Sequence, residues 1–185
     1  RELLRHGTKV NGAVSKPFRL TALHLACAYG NEELIRLLLD AGADLDAKDG
    51  EGGRVPLHLA ARDGHAGAIR LLLQAGSDIA ARDGSCRSPL HWASVNGQVE
   101  AIRTLLGAGA DPHAMSSSGE TPLHLVRGSA DGARVLLDAG ADATVRDIFG
   151  RTPLHCASRE GESFVRLLFE RGAPLSATDR GGRTA

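Results

Sequence analysis

Residues 55–64 read VPLHLAARDG, and the fold turns on whether that phrase stands alone. It does not. Written under itself, the chain gives LTALHLACAYG from 20, RVPLHLAARDG from 54, RSPLHWASVNG from 87, ETPLHLVRGSA from 120 and RTPLHCASREG from 151, and RTA from 183 opens another copy. The leading motif residues are Thr21, Val55, Ser88, Thr121, Thr152 and Thr184, so the steps are 34, 33, 33, 31 and 32 residues. Self-similarity at one near-constant period marks an array of like units, not one interleaved core.

The residues of the phrase say what the unit is. Thr or Ser followed by Pro suits a helix N-cap and first helical position, where proline's missing N–H costs nothing. Leu57, Leu59 and Ala60 then give a short helix with a narrow apolar face, and Gly64 ends it in a left-handed conformation. Ile69, Leu72 and Leu73 pattern a second helix, closed by Gly76. RELLRHG at 1–7 matches RLLLQAG at 70–76, so the chain opens with the second helix of a preceding unit. Helices of two to three turns fall below the ~12–15 residues that hold alone in water, so stacking between units must supply their stability.

A period near 33 carrying T-P-L-H-x-A resembles the ankyrin repeat family, whose unit is a β-turn and two antiparallel helices. The resemblance implies an all-α solenoid of stacked helix-turn-helix units with β-turn or hairpin fingers. It implies one ankyrin-repeat domain over 1–185, in units of about 1–18 (partial), 19–53, 54–86, 87–119, 120–150, 151–182 and 183–185 (partial). His24, His58, His91, His124 and His155 recur because the unit recurs. One layer apart, neighbouring imidazoles are separated by roughly 8–10 Å, too far to share a zinc at about 2 Å. In the family this His is understood to join a hydrogen-bond network between adjacent units, often with the motif Thr.

Composition narrows the function. Lys plus Arg and Asp plus Glu are 22 each, so no net field draws the chain to nucleic acid or an anionic membrane. No apolar run approaches the ~20 residues of a membrane span, and the N-terminus lacks a signal-peptide pattern. Cys27, Cys86 and Cys156 are odd in number and far apart, which speaks against a disulfide framework or zinc knuckle and for a reducing compartment, cytoplasm or nucleus. No nucleophile–base–orienter set, phosphate loop or metal cluster is written in the chain, so neither enzyme activity nor a cofactor is expected. Because it begins at Arg1 and stops inside a motif, it reads as a piece of a longer protein.

In an array, shared positions build the core and unlike positions are free to meet partners. The family resemblance implies binding through a concave surface of turn tips and first helices. One turn position carries Leu20, Arg54, Arg87, Glu120, Arg151 and Arg183. Its arginines form a positive row that suits an acidic partner segment, unless Asp49, Asp83, Asp147 and Asp179 in the same turns neutralise them. Tyr29, Arg62, Asp63, Val95, Asn96, Arg159 and Glu160 fall near the ends of the first helices. Ile148 and Phe149 put two apolar residues on a tip where other units have Gly84 and Ser85 or Ser117 and Ser118, which marks either a partner anchor or packing on the next turn.

Other singular residues are read as scaffold. Arg36, Arg70, Arg103, Arg134 and Arg166 should face solvent on the convex side, and Trp92 and Cys156 should be core. Cys86 sits in a turn without a neighbouring His. The fourth unit lacks two residues between its helices and has Val126 where the others have Ala, which predicts a weak or curved joint near 126–132. The longer first finger, VNGAVSKPFRL, is a candidate contact loop. Asn11 resembles the ankyrin turn asparagine that the hydroxylase of oxygen sensing modifies. The expected function is a non-catalytic scaffold or adaptor for another protein, working as a monomeric array. The alternatives are the substrate receptor of a SOCS-box ubiquitin ligase, or a regulatory or targeting region of a larger enzyme or channel.

Overall fold

A computed structural model describes residues 10–15, 17–127, 130–157 and 161–185. Each copy of the motif starts a helix. In chain order the pairs are α1 (Ala22–Ala28) with α2 (Glu32–Asp40), α3 (Pro56–Arg62) with α4 (Ala66–Gln74), α5 (Pro89–Val95) with α6 (Val99–Gly107), α7 (Pro122–Leu125) with α8 (Ala130–Asp138), and α9 (Pro153–Ala157) with α10 (Glu162–Glu170). First helices pack on first helices and second on second, unit after unit, so the fold is an all-α solenoid of two layers. Among the described residues the only strands, β1 (Ala13–Ser15) and β2 (Leu20–Thr21), pair antiparallel and make the long first finger a small hairpin.

The motif builds the core as its pattern requires. Leu23, Leu57, Leu90, Leu123 and Leu154 are buried beside Ile35, Ile69, Ile102, Leu72, Leu105, Leu136 and Leu168 in one continuous cluster. Thr21, Val55, Ser88 and Thr121 cap their helices in extended backbone, and proline opens α3, α5 and α7. Gly97 closes α5 at φ +63, and a Cβ there would lie 2.7 Å from the Arg127 carbonyl oxygen, so both conformation and crowding demand glycine.

The Thr21 hydroxyl makes the expected backbone cap by accepting the His24 N–H, and the capping residues also engage the motif imidazoles. Each motif imidazole accepts, at Nδ1, the backbone N–H of its own N-cap residue, Thr21, Val55, Ser88, Thr121 or Thr152. The hydroxyls of Thr21, Ser88, Thr121 and Thr152 also lie 2.8–2.9 Å from Nδ1. Nε2 then faces the carbonyl that opens the next finger: His24 to Arg54, His58 to Arg87 and His91 to Glu120 at 3.0 Å, His124 to Arg151 and His155 to Arg183 at 3.1 Å. A carbonyl can only accept, so Nε2 carries the proton and the ring is neutral. Burial pushes His24, His58 and His124 below the usual imidazole value, and His91 down to about 4. The expected network between units is therefore a ladder running the length of the array.

A second ladder joins the finger tips. The N–H groups of Gly50, Gly84, Ser117, Ile148 and Arg180 donate to the carbonyls of Phe18, Gly52, Ser85, Ser118 and Phe149, at 2.6–3.1 Å. The fourth unit is irregular in the expected place. α7 has four residues where α3 has seven, and Val126 leaves the helix at φ −61, ψ 129. Val126 is nonetheless buried, leaning toward Gly132, whose absent Cβ would sit 3.0 Å from its methyl carbon.

Candidate functional site

The candidate surface begins with the turns, where a short acidic side chain folds the finger. Asp49 accepts the N–H groups of Gly52 and Arg54 on one oxygen and the Arg54 Nε at 2.6 Å on the other. Burial works against its charge, but these donors outweigh it and hold the Asp49 carboxyl below the usual carboxylate range. Asp147 treats Phe149, Arg151 and the Arg151 Nε alike, and Asp179 does the same for Gly181 and Arg183. In the finger between, Ser116 stands in for aspartate and accepts from Ser118 and Glu120.

The positive row expected to meet an acidic partner is thus largely engaged within the fold. Arg54 is only 9% exposed: besides Asp49 it pairs with Glu51, and its guanidinium lies 5.5 Å from the Trp92 ring centroid. Arg151 pairs with Asp147 and reaches Glu120 at 3.3 Å. Glu120, the one acidic member of the row, sits between Arg151 and Arg87, the latter 3.5 Å away. Arg183 pairs with Asp179.

Arg87 departs from this pattern because of Trp92. The indole Nε1–H donates to Asp83 Oδ2 at 2.9 Å, the oxygen that receives the Arg Nε in the other three Asp turns. Among the described residues the Arg87 Nε is buried without a partner. Trp92 is consequently not the core residue expected. It is half-buried, as Leu25 is at the same register, because this column lies at the edge of the core, and its indole N–H finds an acceptor in the turn. Cys156, at the same register, is likewise half-buried rather than core, and burial raises its thiol pKa. Cys27 is buried, its thiol pushed up to about 12, and Cys86 is exposed.

The apolar candidates stay uncovered. Tyr29 is 80% exposed, Ile148 46% and Phe149 53%, with the Arg151 guanidinium 5.0 Å from the Phe149 ring. Leu20 is half-buried and shares a groove of about 360 Å³ with Phe18, Leu25, Tyr29, Arg62 and Asp63. Arg62 clasps Asp63 at 2.8 and 2.7 Å, Val95 is half-buried, and Asn96 is exposed. Arg159 and Glu160 lie outside the described residues. Phe18 escaped sequence reasoning although the signal was available: it lies two residues before Leu20, as Phe149 lies two before Arg151. On the opposite face Arg36, Arg70, Arg103, Arg134 and Arg166 are all exposed, as their register predicts. Asn11, in the hairpin finger's unit, ties down the next turn by accepting the Asp44 N–H and donating to the Gly42 carbonyl.

Among the described residues no group of three or more His, Cys, Asp or Glu side chains could hold a metal ion, and no helix is long and apolar enough to cross a membrane. The family model described as "Ankyrin repeats (3 copies)" matches residues 1–83, 43–116 and 90–179. A curated protein, "Potassium channel AKT3" of Oryza sativa subsp. japonica, is 51% identical over 51 residues, which is 28% of this chain and 6% of that protein. The chain therefore corresponds to a small part of that relative's length. With repeat, imidazole ladder and family model coinciding over nearly its whole length, the chain belongs to the ankyrin repeat family, a generally non-catalytic module of protein–protein interaction.

Proposed function

We propose that this chain is a non-catalytic scaffold that holds a segment of another protein on its concave face, across the finger tips and the exposed ends of the first helices. The observation that carries the reading is the trio of uncovered aromatics on the fingers and first-helix ends, Phe18, Tyr29 and Phe149, between 43% and 80% exposed, with Ile148 beside Phe149 at 46%. Large side chains left in water on a rigid scaffold serve as anchors, since aromatic groups dominate interface energies. The array works as a monomer, and its three unpaired cysteines suit a reducing compartment, cytoplasm or nucleus.

The test is a selection of short random peptides on the intact chain, followed by titration of the winners against Tyr29→Ala and Phe149→Ala. Each substitution is expected to weaken binding by more than ~1 kcal/mol with little change in melting temperature. A large fall in melting temperature at unchanged affinity would return the residue to the scaffold. A second reading, that the array is the regulatory or targeting region of a larger channel or enzyme, is favoured by the stretch shared with a potassium channel. The substrate-receptor form of the scaffold predicts a SOCS box in the longer protein.

A further inference from the structure

We propose that Arg87, released from its own turn by Trp92, is the carboxylate-binding residue of the concave face, and that the partner segment presents an acidic side chain there. The inference rests on the concave face being the binding surface, and it names the chemistry at one point of that surface. The argument is a comparison among units of the same chain. In three fingers an aspartate takes the Nε of the arginine four or five residues later, at 2.6–2.9 Å, which fixes the guanidinium against its own turn. Asp83 is equally well placed, and it still accepts the N–H groups of Ser85 and Arg87. Its second oxygen, however, is taken by the indole of Trp92, where other units have Leu25, Leu59, Leu125 or Cys156.

The consequence falls on Arg87 alone. Among the described residues its guanidinium donates no hydrogen bond to the protein, and its single ion pair is the loose 3.5 Å approach to Glu120, which Arg151 holds more closely. Its side chain is 30% exposed and borders a groove of about 710 Å³ with Glu51, Arg54, Asp83, Ser85 and Trp92. The neighbouring charges are already matched: Arg54 by Asp49 and Glu51, Asp83 by three N–H groups. The Arg87 Nε is buried beyond a partner's reach and Glu120 only approaches the terminal nitrogens, so a partner carboxylate, with two oxygens, would close on Arg87 through those terminal N–H groups. An Asp or Glu side chain of an extended partner segment fits this need. A neutral or basic residue leaves it unmet.

The protein carries its own reporter, since Trp92 is the only tryptophan. Peptides selected on the intact chain, with hexaglutamate and hexaglutamine as defined probes, are titrated by calorimetry in every variant, and by indole fluorescence and the shift of the indole N–H in those that keep Trp92. Acidic residues are expected to be enriched, and Arg87→Gln should weaken the best acidic peptide about tenfold or more. Trp92→Leu should also weaken it, because Asp83 recaptures the guanidinium. Adding Asp83→Asn to Trp92→Leu should restore binding, because the amide keeps the turn's acceptor oxygen and offers the arginine no carboxylate. Unchanged affinity in Arg87→Gln, or no recovery in the double variant, overturns the proposal. If Tyr29→Ala and Phe149→Ala weaken binding while Arg87→Gln does not, the concave surface stands and this inference alone falls. If none of the three matters, the surface reading falls with it.

Discussion

The second and fourth units start from nearly the same words, RVPLHLAARDG and ETPLHLVRGSA, yet α3 runs for seven residues and α7 for four. What survives the difference is the imidazole link. His58 reaches Arg87 at 3.0 Å and His124 reaches Arg151 at 3.1 Å, each from a ring that also receives its own N-cap N–H. What changes is packing volume. Ala60 and Ala68 in one unit become Val126 and Gly132 in the other, so bulk lost from one helix reappears on the segment facing it. The register of the array is thus set at the first turn of each first helix, and the remainder of that helix is open to variation.

Acid should do the most damage, because it attacks what the two units share. Four buried rings are held below the unfolded imidazole value. Below about pH 6.5 the unfolded chain takes up protons that the folded chain refuses, so stability is full above that pH and falls as pH drops toward the folded values. His91, with a folded value of about 4, alone contributes a loss on the order of 3 kcal/mol by that pH. Urea unfolding over a series of pH values measures it. A profile flat down to about pH 5 would mean that the rings are not neutral donors.

Substitution tests the link unit by unit. His58→Ala and His124→Ala should each cost about 2–4 kcal/mol, since each strands a buried N–H and a carbonyl. The loss in the fourth unit should be no smaller, for His124 also serves the Thr121 hydroxyl while Val55 has none. A much cheaper His124→Ala would break the claim that helix length is irrelevant to the ladder. Next, Val126→Ala should cost about 2 kcal/mol, and adding Gly132→Ala should recover about 1 by refilling the space and favouring the helix. If the double variant is worse than the single, the two positions do not exchange volume.

Smaller effects sharpen the contrast. Amides of α7 should exchange with solvent about tenfold faster than those of α3, because a one-turn helix has little to protect it. Equal protection would remove the weak joint. Finally, Val55→Thr supplies the hydroxyl missing beside His58 and should add about 0.5–1 kcal/mol in thermal or urea unfolding. No gain there would mean that the backbone N–H alone already satisfies the ring.

The repeat made the fold and the imidazole role readable in the sequence, since each copy restates the same local physics. The exposure of the second-helix arginines followed from register alone, whereas register left the tip at Ile148 and Phe149 open between packing on the next turn and standing uncovered. The partner choices of the turn residues did not. Asp83 serves Trp92 rather than Arg87 because an oversized side chain nine residues on reaches back to it, and no spacing rule encodes that reach. Trp92 itself read as core because its column holds leucines, while that column lies at the edge of the core, where Leu25 and Cys156 are half-buried too. The place of Glu120 was visible as an acid between Arg87 and Arg151 in the same column, but only their distances in space turn the alternation into a clamp.

The imidazole ladder has a direction. Every Nε2–H points from one unit to the carbonyl that opens the following one, so each repeat arrives with one donor for its successor and one acceptor for its predecessor. Cutting out or duplicating a whole period leaves every such pair matched, whereas a cut elsewhere leaves a buried group bare. A gene carrying such an array can lengthen or shorten by whole repeats without breaking this ladder, and its surfaces can then diverge one repeat at a time.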